Sequence, residues 1–408
     1  MQLPDQLPHP SQRRIAVHVK PAAERALRDG HPWVFDQSIR QQSKAGSAGD
    51  LAVIFDKKDR FLAVGLYDPD SPIRVKILQH HTPATINTDF YRDTLSHAFA
   101  QRAPLADKAT DGYRLVYGEG DQLPGLVIDR YGTVLVLKLY STAWISHLRD
   151  VLTALNDLMP EQTLVLRLSR NLQQTAEHGL HDGMILQGTL PDVVRFQEYG
   201  LWFEADVIDG HKTGFFFDQR ENRQRVRDLA TDQRVLDVFS YNGGFSVNAA
   251  AGGARAVTSL DVSAQALASA QANMTLNQNL PTVAQCRHEI MVADAFEGLA
   301  QLADANTRYD LVIIDPPTFA SSQDQVAGAL GAYSRLVHLG LNVLVAGGTL
   351  VMASCSSRVP AEDFFALVHH SAMQAERPLQ EIARTRHALD HPITFAEGAY
   401  LKCLFARA

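Results

Sequence analysis

The chain has 408 residues, of which 46% are hydrophobic and 20% charged, and it carries a formal net charge of −7. These values exclude a disordered chain and a surface coated all over with cations for a polyanion, and the length exceeds one ordinary core, so two or three domains are expected. No apolar run approaches the ~20 residues of a membrane helix, and three scattered cysteines form no disulfide framework, so a reducing, cytoplasmic setting without membrane association is expected.

Residues 1–12 read as a polar tail with Pro4, Pro8 and Pro10. From residue 13 to about 86 the chain is strand-rich. "RIAVHV", "DLAVIF", "FLAVGLY" and "IRVKIL" are short β-prone runs broken by Gly, Pro and Asp turns, with one helix predicted over "PAAERALRDG" before "HPWVF". The first hundred residues hold thirteen Lys and Arg against eleven Asp and Glu, so the acidity lies beyond them. A polyanion would meet least repulsion there.

Residues 87–192 read as an α+β module. Asn87 or Thr88 caps a helix with Phe90, Leu95 and Phe99 on one side. "YRLVYGEGDQLPGLVIDRYGTVLVLKLY" reads as three strands joined by two turns, and a helix around 144–157 and the strand "TLVLRL" follow.

From about residue 193 strand and helix alternate. "RVLDVF", "AVTSLD", "EIMVADAF", "YDLVIIDPP" and "GGTLVMASCSS" are five strands, with helices between them. This rhythm predicts an α/β fold with a Rossmann-like, doubly wound parallel sheet. Ligands of such sheets bind at the carboxyl ends of the strands, and those ends carry Asp237, Asp261, Asp294, Asp315 and Cys355.

The first strand ends in "DVFSYNGGFS", which is not G-x-G-x-x-G. A nicotinamide cofactor places a pyrophosphate on that turn. An acidic Asp237 suits a cationic ligand better, and S-adenosylmethionine has an ammonium, a sulfonium and no phosphate. The turn residues Ser240, Tyr241, Asn242 and Gly243 would pass close to it. Asp261 lies near the ~20-residue spacing at which a carboxylate meets ribose hydroxyls, and Asp294 could accept from the adenine amine. A single such Asp is as well explained by a helix cap. It is the set that points to a cofactor.

"DPPTF" (315–319) stiffens the exit of the fourth strand and fixes the Asp315 carboxylate. Phe319 either stacks on a base or fills the core. Cys355 is either a small buried thiol or a nucleophile. A thiolate adding to carbon 6 of a pyrimidine makes carbon 5 nucleophilic, and that carbon then takes a methyl group. Such chemistry needs an acid at the ring nitrogen, for which Asp315 is the candidate. "DGHKTGFFFDQRENRQRVR" places Arg220, Arg223, Arg225 and Arg227 on a predicted helix, either as a solvated face or as cofactor or RNA contacts. The sixteen histidines form no metal motif.

These motifs, taken in order, resemble the bacterial 23S (large-subunit) ribosomal RNA cytosine-5 methyltransferases that carry an N-terminal PUA domain. "HPWVF", "RLVYGEGDQLPGLVIDRYG", "TGFFFDQRENR", "LDVFSYNGGFSV", "SLDVSAQAL", "VADAF", "IIDPPTF", "ASCSS" and "DHPITFAEGAYLK" carry the resemblance over about residues 13–408. It implies a PUA-like RNA-binding domain over 13–86, a central domain over 87–192 and a methyltransferase domain over 193–408. It implies S-adenosylmethionine as cofactor, with large-subunit rRNA or the assembling subunit as partner. Cys355 falls at the family's nucleophile and Asp315 at the group that holds the base. Phe217, Gln219 and Arg220 fall in the segment closing over the cofactor, and Asp237, Asp261 and Asp294 at its binding strand ends. The wider RNA cytosine-5 class often has a second cysteine after the motif prolines. Thr318 stands there instead, which leaves Asp315 or water as the final base. Two other readings stay open: methylation of a guanine or adenine amino group at "DPPTF", and a catalytically inactive RNA-binding assembly factor.

Overall fold

The computed structural model describes residues 7–10, 13–173 and 179–408. Most of the expected tail, residues 1–6 and 11–12, lies outside them. Leu7, read as part of that tail, is instead buried in an apolar core with Leu51, Leu66 and Leu78.

The chain divides into two compact units. The first holds residues up to 198 together with 205–217 and 389–398, and the second holds 199–204, 218–388 and 399–408.

The first unit opens with β1 (Arg14–Val19), α1 (Pro21–Arg28), β2 (Trp33–Phe35), β3 (Ile39–Gln42), β4 (Leu51–Phe55), β5 (Phe61–Tyr67) and β6 (Ile73–His80). They form a six-stranded sheet in the order β2-β6-β5-β4-β1-β3, in which β1 runs parallel to β4. Alternation sets its core: Ile15, Val17 and Val19 of β1 point inward against Leu27, Val34 and Ile54.

Next come α2 (Thr88–Ala106), β7 (Gly112–Tyr117), β8 (Leu126–Tyr131), β9 (Val134–Leu139), α3 (Leu148–Leu158), β10 (Thr163–Leu168), α4 (Arg170–Gln173) and β11 (Met184–Gln187). The strands form a second sheet, β11-β10-β9-β8-β7. The Asn87 side chain caps α2 by accepting from the Phe90 N–H, as expected. The buried residues of α2 are Tyr91, Leu95, Ala98, Arg102 and Leu105, and Phe90 and Phe99 are partly buried against the same core.

Arg102 is buried with its guanidinium met by acceptors. Its guanidinium grips Asp121 with two bonds of 2.8 and 2.5 Å and also donates to the carbonyls of Ala98, Arg114 and Asp390. Asp390 in turn accepts the Arg114 N–H at 2.8 Å, which ties the segment 389–398 into this unit. Arg102→Ala leaves the Asp121 charge buried and unpaired. It is expected to cost about 3–5 kcal/mol, read as a lower urea midpoint for the first unfolding step.

The strands β12 (Val194–Glu198) and β13 (Leu201–Ala205) lie where the chain passes from one unit to the other. The second unit then contains α5 (Arg220–Leu229), β14 (Arg234–Val238), α6 (Gly244–Ala251), β15 (Ala256–Asp261), α7 (Ala264–Leu276), α8 (Pro281–Gln285), β16 (Arg287–Val292), α9 (Ala295–Asp304), β17 (Tyr309–Ile314), α10 (Val326–Val343), β18 (Leu344–Ser354), α11 (Ala361–Gln374), β19 (Gln380–Thr385) and β20 (Lys402–Arg407). Its seven-stranded sheet has the order β16-β15-β14-β17-β18-β20-β19.

The five expected strands are parallel neighbours. Two strands beyond the predicted five extend the sheet, and β20 is antiparallel to both β18 and β19. The central strands are sheathed on both faces: Val312, Ile313 and Ile314 of β17 are fully buried. Strand order reverses between β14 and β17. A doubly wound sheet opens its ligand crevice at that point, between the ends that carry Asp237 and Asp315.

Candidate active site

The turn after β14 is wound tightly. Phe239 (φ 64°), Tyr241 (φ 48°) and Gly243 (φ 77°) are all left-handed. The conformation costs a non-glycine residue of order 1–2 kcal/mol, so two such residues in one turn mark a shape imposed by its surroundings. Three bonds hold it. The Ser240 N–H donates to the Leu260 carbonyl of β15 at 3.1 Å, and Asn273 of α7 donates to the Asn242 carbonyl at 2.9 Å. The Tyr241 N–H donates to Asp261 at 2.9 Å. Gly243 is also sterically fixed, since a Cβ there would come within 2.7 Å of the Ala270 methyl.

Asp237 is the most informative residue of this rim. It is 1% exposed. One oxygen accepts from the Ser246 N–H at 3.0 Å and from its hydroxyl at 2.6 Å. The other, Oδ1, has no hydrogen-bond partner among the described residues, and neither does the buried hydroxyl of Ser240. Burial pushes the Asp237 carboxyl up to about 7; the Ser246 bond opposes this, and the charges of Asp315 and Asp261 add to it. A buried acceptor without a donor is costly. Oδ1 keeps its acceptor capacity for a donor from a ligand.

Asp261 sits two strands from Asp315. Its Oδ2 takes the Tyr241 N–H and its Oδ1 the Ser263 N–H, at 2.9 Å each. Each oxygen keeps further acceptor capacity for a diol. Asp294 is exposed and caps α9 through Oδ1, which accepts from Phe296 and Glu297. The capping alternative thus describes part of what Asp294 does.

Gln219 and Asp315 come together: the Gln219 amide donates to Asp315 Oδ1 at 2.9 Å, and Asn222 orients that amide from behind. Arg220 and Arg223 are buried on α5 rather than solvated. Phe217 belongs to the first unit, where it packs against Tyr131, Phe196 and Phe215. Phe319 is half-buried and packs on Tyr333 at 5.1 Å, so it serves the core.

Cys355 follows β18 directly and is half-buried. Its sulfur lies 3.2 Å from the Thr318 hydroxyl and 3.8 Å from the Pro316 carbonyl oxygen. The thiol therefore rests on the "DPPT" loop. Tyr333, which sequence reasoning did not single out, holds the two loops together with Ser354 and Ser356, the hydroxyl residues that flank the thiol in sequence. The Tyr333 hydroxyl bonds those of Ser354 and Ser356 at 2.8 Å each. The Ser356 hydroxyl also accepts from the Phe319 and Ala320 N–H groups.

A seven-stranded doubly wound sheet with this acidic rim and no phosphate-binding glycine fingerprint defines a class I methyltransferase. Residues 114–405 match the family of S-adenosylmethionine-dependent methyltransferases, and residues 17–80 match a PUA-like domain. The chain belongs to this methyltransferase family, and S-adenosylmethionine is its cofactor.

Among its relatives, a ribosomal RNA large subunit methyltransferase of Deinococcus radiodurans is 47% identical, with 98% of each chain covered. The ribosomal RNA large subunit methyltransferase I of Klebsiella pneumoniae (strain 342) is 34% identical, covering 93% of this chain and 94% of that one. Among solved structures, a SAM-dependent methyltransferase from Streptococcus mutans aligns with a TM-score of 0.81 at 22% identity, over 96% of this chain and all of that one. A methyltransferase complexed with SAH aligns with a TM-score of 0.82 at 21% identity, over 97% of this chain and all of that one. Among the described residues no helix is long and apolar enough to cross a membrane.

Proposed function

We propose that the protein methylates carbon 5 of a cytosine in large-subunit ribosomal RNA, free or in an assembling subunit, with Cys355 as a covalent nucleophile. The relatives' names support the RNA. The observation that carries the chemistry is the Cys355 sulfur resting on the loop that bears Asp315, with Thr318 at 3.2 Å. An amino-group transfer has no use for a thiol there.

In this reading Asp237, the turn Ser240–Gly243, Asp261 and Asp294 hold S-adenosylmethionine, and Gln219 and Arg220 flank it. The bound cofactor supplies the methyl group. Cys355 donates an electron pair to carbon 6 and forms an S–C bond, while Asp315 holds a proton at the ring nitrogen. The pair displaced from the C5–C6 double bond makes carbon 5 the nucleophile. After transfer, Asp315 or water takes the carbon 5 proton, and the S–C bond breaks to return the thiolate.

Thr318 is a hydrogen-bond partner of the sulfur rather than a second thiol. Thr318→Val is expected to slow transfer about tenfold, since one neutral hydrogen bond is worth ~1 kcal/mol, with cofactor affinity unchanged in a calorimetric titration. Residues 13–86 and 87–192 would grip RNA as PUA-like and central domains, 193–408 would act as the methyltransferase domain, and the protein would work in the cytoplasm. The test is transfer to unmodified large-subunit rRNA followed by nucleoside analysis. 5-Methylcytidine supports the reading, an N-methylated purine replaces it with amino-group transfer, and no transfer to any rRNA leaves an RNA-binding factor.

A further inference from the structure

We propose that Lys402 is a positioning residue for the nucleophile: its ammonium, clamped in the loop that carries Cys355, stabilises the thiolate and fixes its direction. The inference rests on the reading of Cys355 given above.

Lys402 opens β20 and is 1% exposed. A buried ammonium is costly unless it is compensated, and no carboxylate among the described residues pairs with it. Its Nζ donates instead to three backbone carbonyls, those of Ser356, Val359 and Tyr400. Three acceptors need three N–H groups, which only the charged form offers. Two of these carbonyls belong to the loop just after Cys355. The antiparallel register sets Lys402 opposite Ser354, the residue before Cys355. Strand pairing and the carbonyl cage together place a fixed cation under the turn that presents the thiol.

The rim needs that cation. Burial chiefly holds the proton on the Tyr333 hydroxyl; its bonds to Ser354 and Ser356 oppose this, and the charges of Cys355 and Asp315 add to it. A thiolate beside that carboxylate would be disfavoured without a compensating charge. The ionisable and charged groups on the segments next to Cys355 include Asp315 from the β17 exit, Tyr333 from α10, Arg358 from its own loop, Lys402 from β20, and Tyr400 and His387 from the segment between β19 and β20. Arg358 is exposed to solvent and its charge is screened. Tyr400 donates its hydroxyl to Asp218 at 2.7 Å, and His387 accepts the Leu401 N–H at 3.1 Å. Lys402 is the buried cation that the carbonyls of the Cys355 loop themselves hold. Burial brings its ammonium down to about 8, and the Cys355 sulfur is the charge that pulls it back up. At neutral pH it stays protonated.

The test is the pH dependence of iodoacetamide alkylation at Cys355, followed by peptide mass spectrometry in a Cys286→Ser background, with and without Lys402→Met. The full-length protein is used without RNA. The wild-type midpoint is expected at least one unit below the ordinary thiol value of ~8.5. Lys402→Met is expected to raise it by a unit or more and to slow alkylation about tenfold at pH 7. An ordinary wild-type midpoint overturns the proposal, and so does an unmoved midpoint in a folded Lys402→Met. If circular dichroism shows that this variant does not fold, the wild-type midpoint decides alone. The readout needs no methyl transfer. A Cys355→Ala enzyme that still methylates would sink the nucleophile reading and leave the alkylation result standing.

Discussion

Cys355→Ala and Cys355→Ser should each lower 5-methylcytosine formation on unmodified large-subunit rRNA by 100-fold or more. A factor of 100 is about 2.7 kcal/mol of transition-state stabilisation. Alanine removes the atom that bonds to carbon 6. Serine keeps the shape, but its hydroxyl holds its proton too tightly to attack at neutral pH without an adjacent base. The loss would be chemical and not structural. Cys355 is half-buried at the end of β18, and the Tyr333, Ser354 and Ser356 hydroxyl bonds that hold its loop do not pass through the sulfur. Both variants should therefore bind S-adenosylmethionine within about twofold of wild type and melt within a few degrees of it. Radiolabel transfer by either variant at near wild-type rate would make the thiol a strand-end packing residue and turn "DPPTF" into an amino-group site.

The rim of carboxylates was legible because strand ends have a local signature. A short β-prone run with an Asp at or next to its carboxyl end can be read without any tertiary information: Asp237 is the penultimate residue of β14, Asp261 the last of β15, and Asp315 follows β17. The remainder of the rim depends on contacts between segments far apart in sequence. "AYLKCLF" reads as an apolar run with one lysine at its centre, and nothing local says that its ammonium turns inward to carbonyls more than forty residues away. The same holds for Tyr333, which lies mid-helix in α10 and finds its partners only when β18 is laid beside β17. Ser246 carried a faint signal, a hydroxyl two residues past the Gly pair at a helix start. Phe319 stayed open in the sequence because an aromatic after "DPP" suits a base as well as it suits the core, and its packing on Tyr333 is a tertiary contact. β20 was missed because an antiparallel strand at the end of a parallel sheet breaks the rhythm that revealed the other five.

Asp237→Asn should produce opposite effects on stability and on binding. In the folded protein the Asp237 carboxyl is raised from 3.8 to about 7, chiefly by burial. The folded state therefore binds a proton that the unfolded chain releases. Stability from that proton is fully present below ~3.8 and is lost as pH rises through about 7. A displacement of this size corresponds to about 4 kcal/mol, so the cofactor-free enzyme at pH 8 carries the cost of an ionised, half-satisfied carboxylate. Asparagine keeps an acceptor for the Ser246 N–H and hydroxyl and removes the charge. In thermal melts without cofactor, wild type should lose stability between pH 5.5 and 8 relative to Asp237→Asn, and the two curves should converge at the acid end. Cofactor affinity should run the other way. In the proposed reading the ionised Oδ1 accepts from the cofactor's ammonium, and a charge-assisted bond of this kind is worth ~1.5–3 kcal/mol. Calorimetric titration at pH 8 should therefore show S-adenosylmethionine binding weakened roughly 10- to 100-fold in the variant. Wild-type affinity should fall as pH drops below about 7, where Asp237 takes up its proton, and the variant's should stay flat. Parallel pH profiles for the two proteins would show that the carboxylate does not receive the ammonium. Asp261, with both oxygens already anchored by backbone N–H groups, would then have to be tested for that contact.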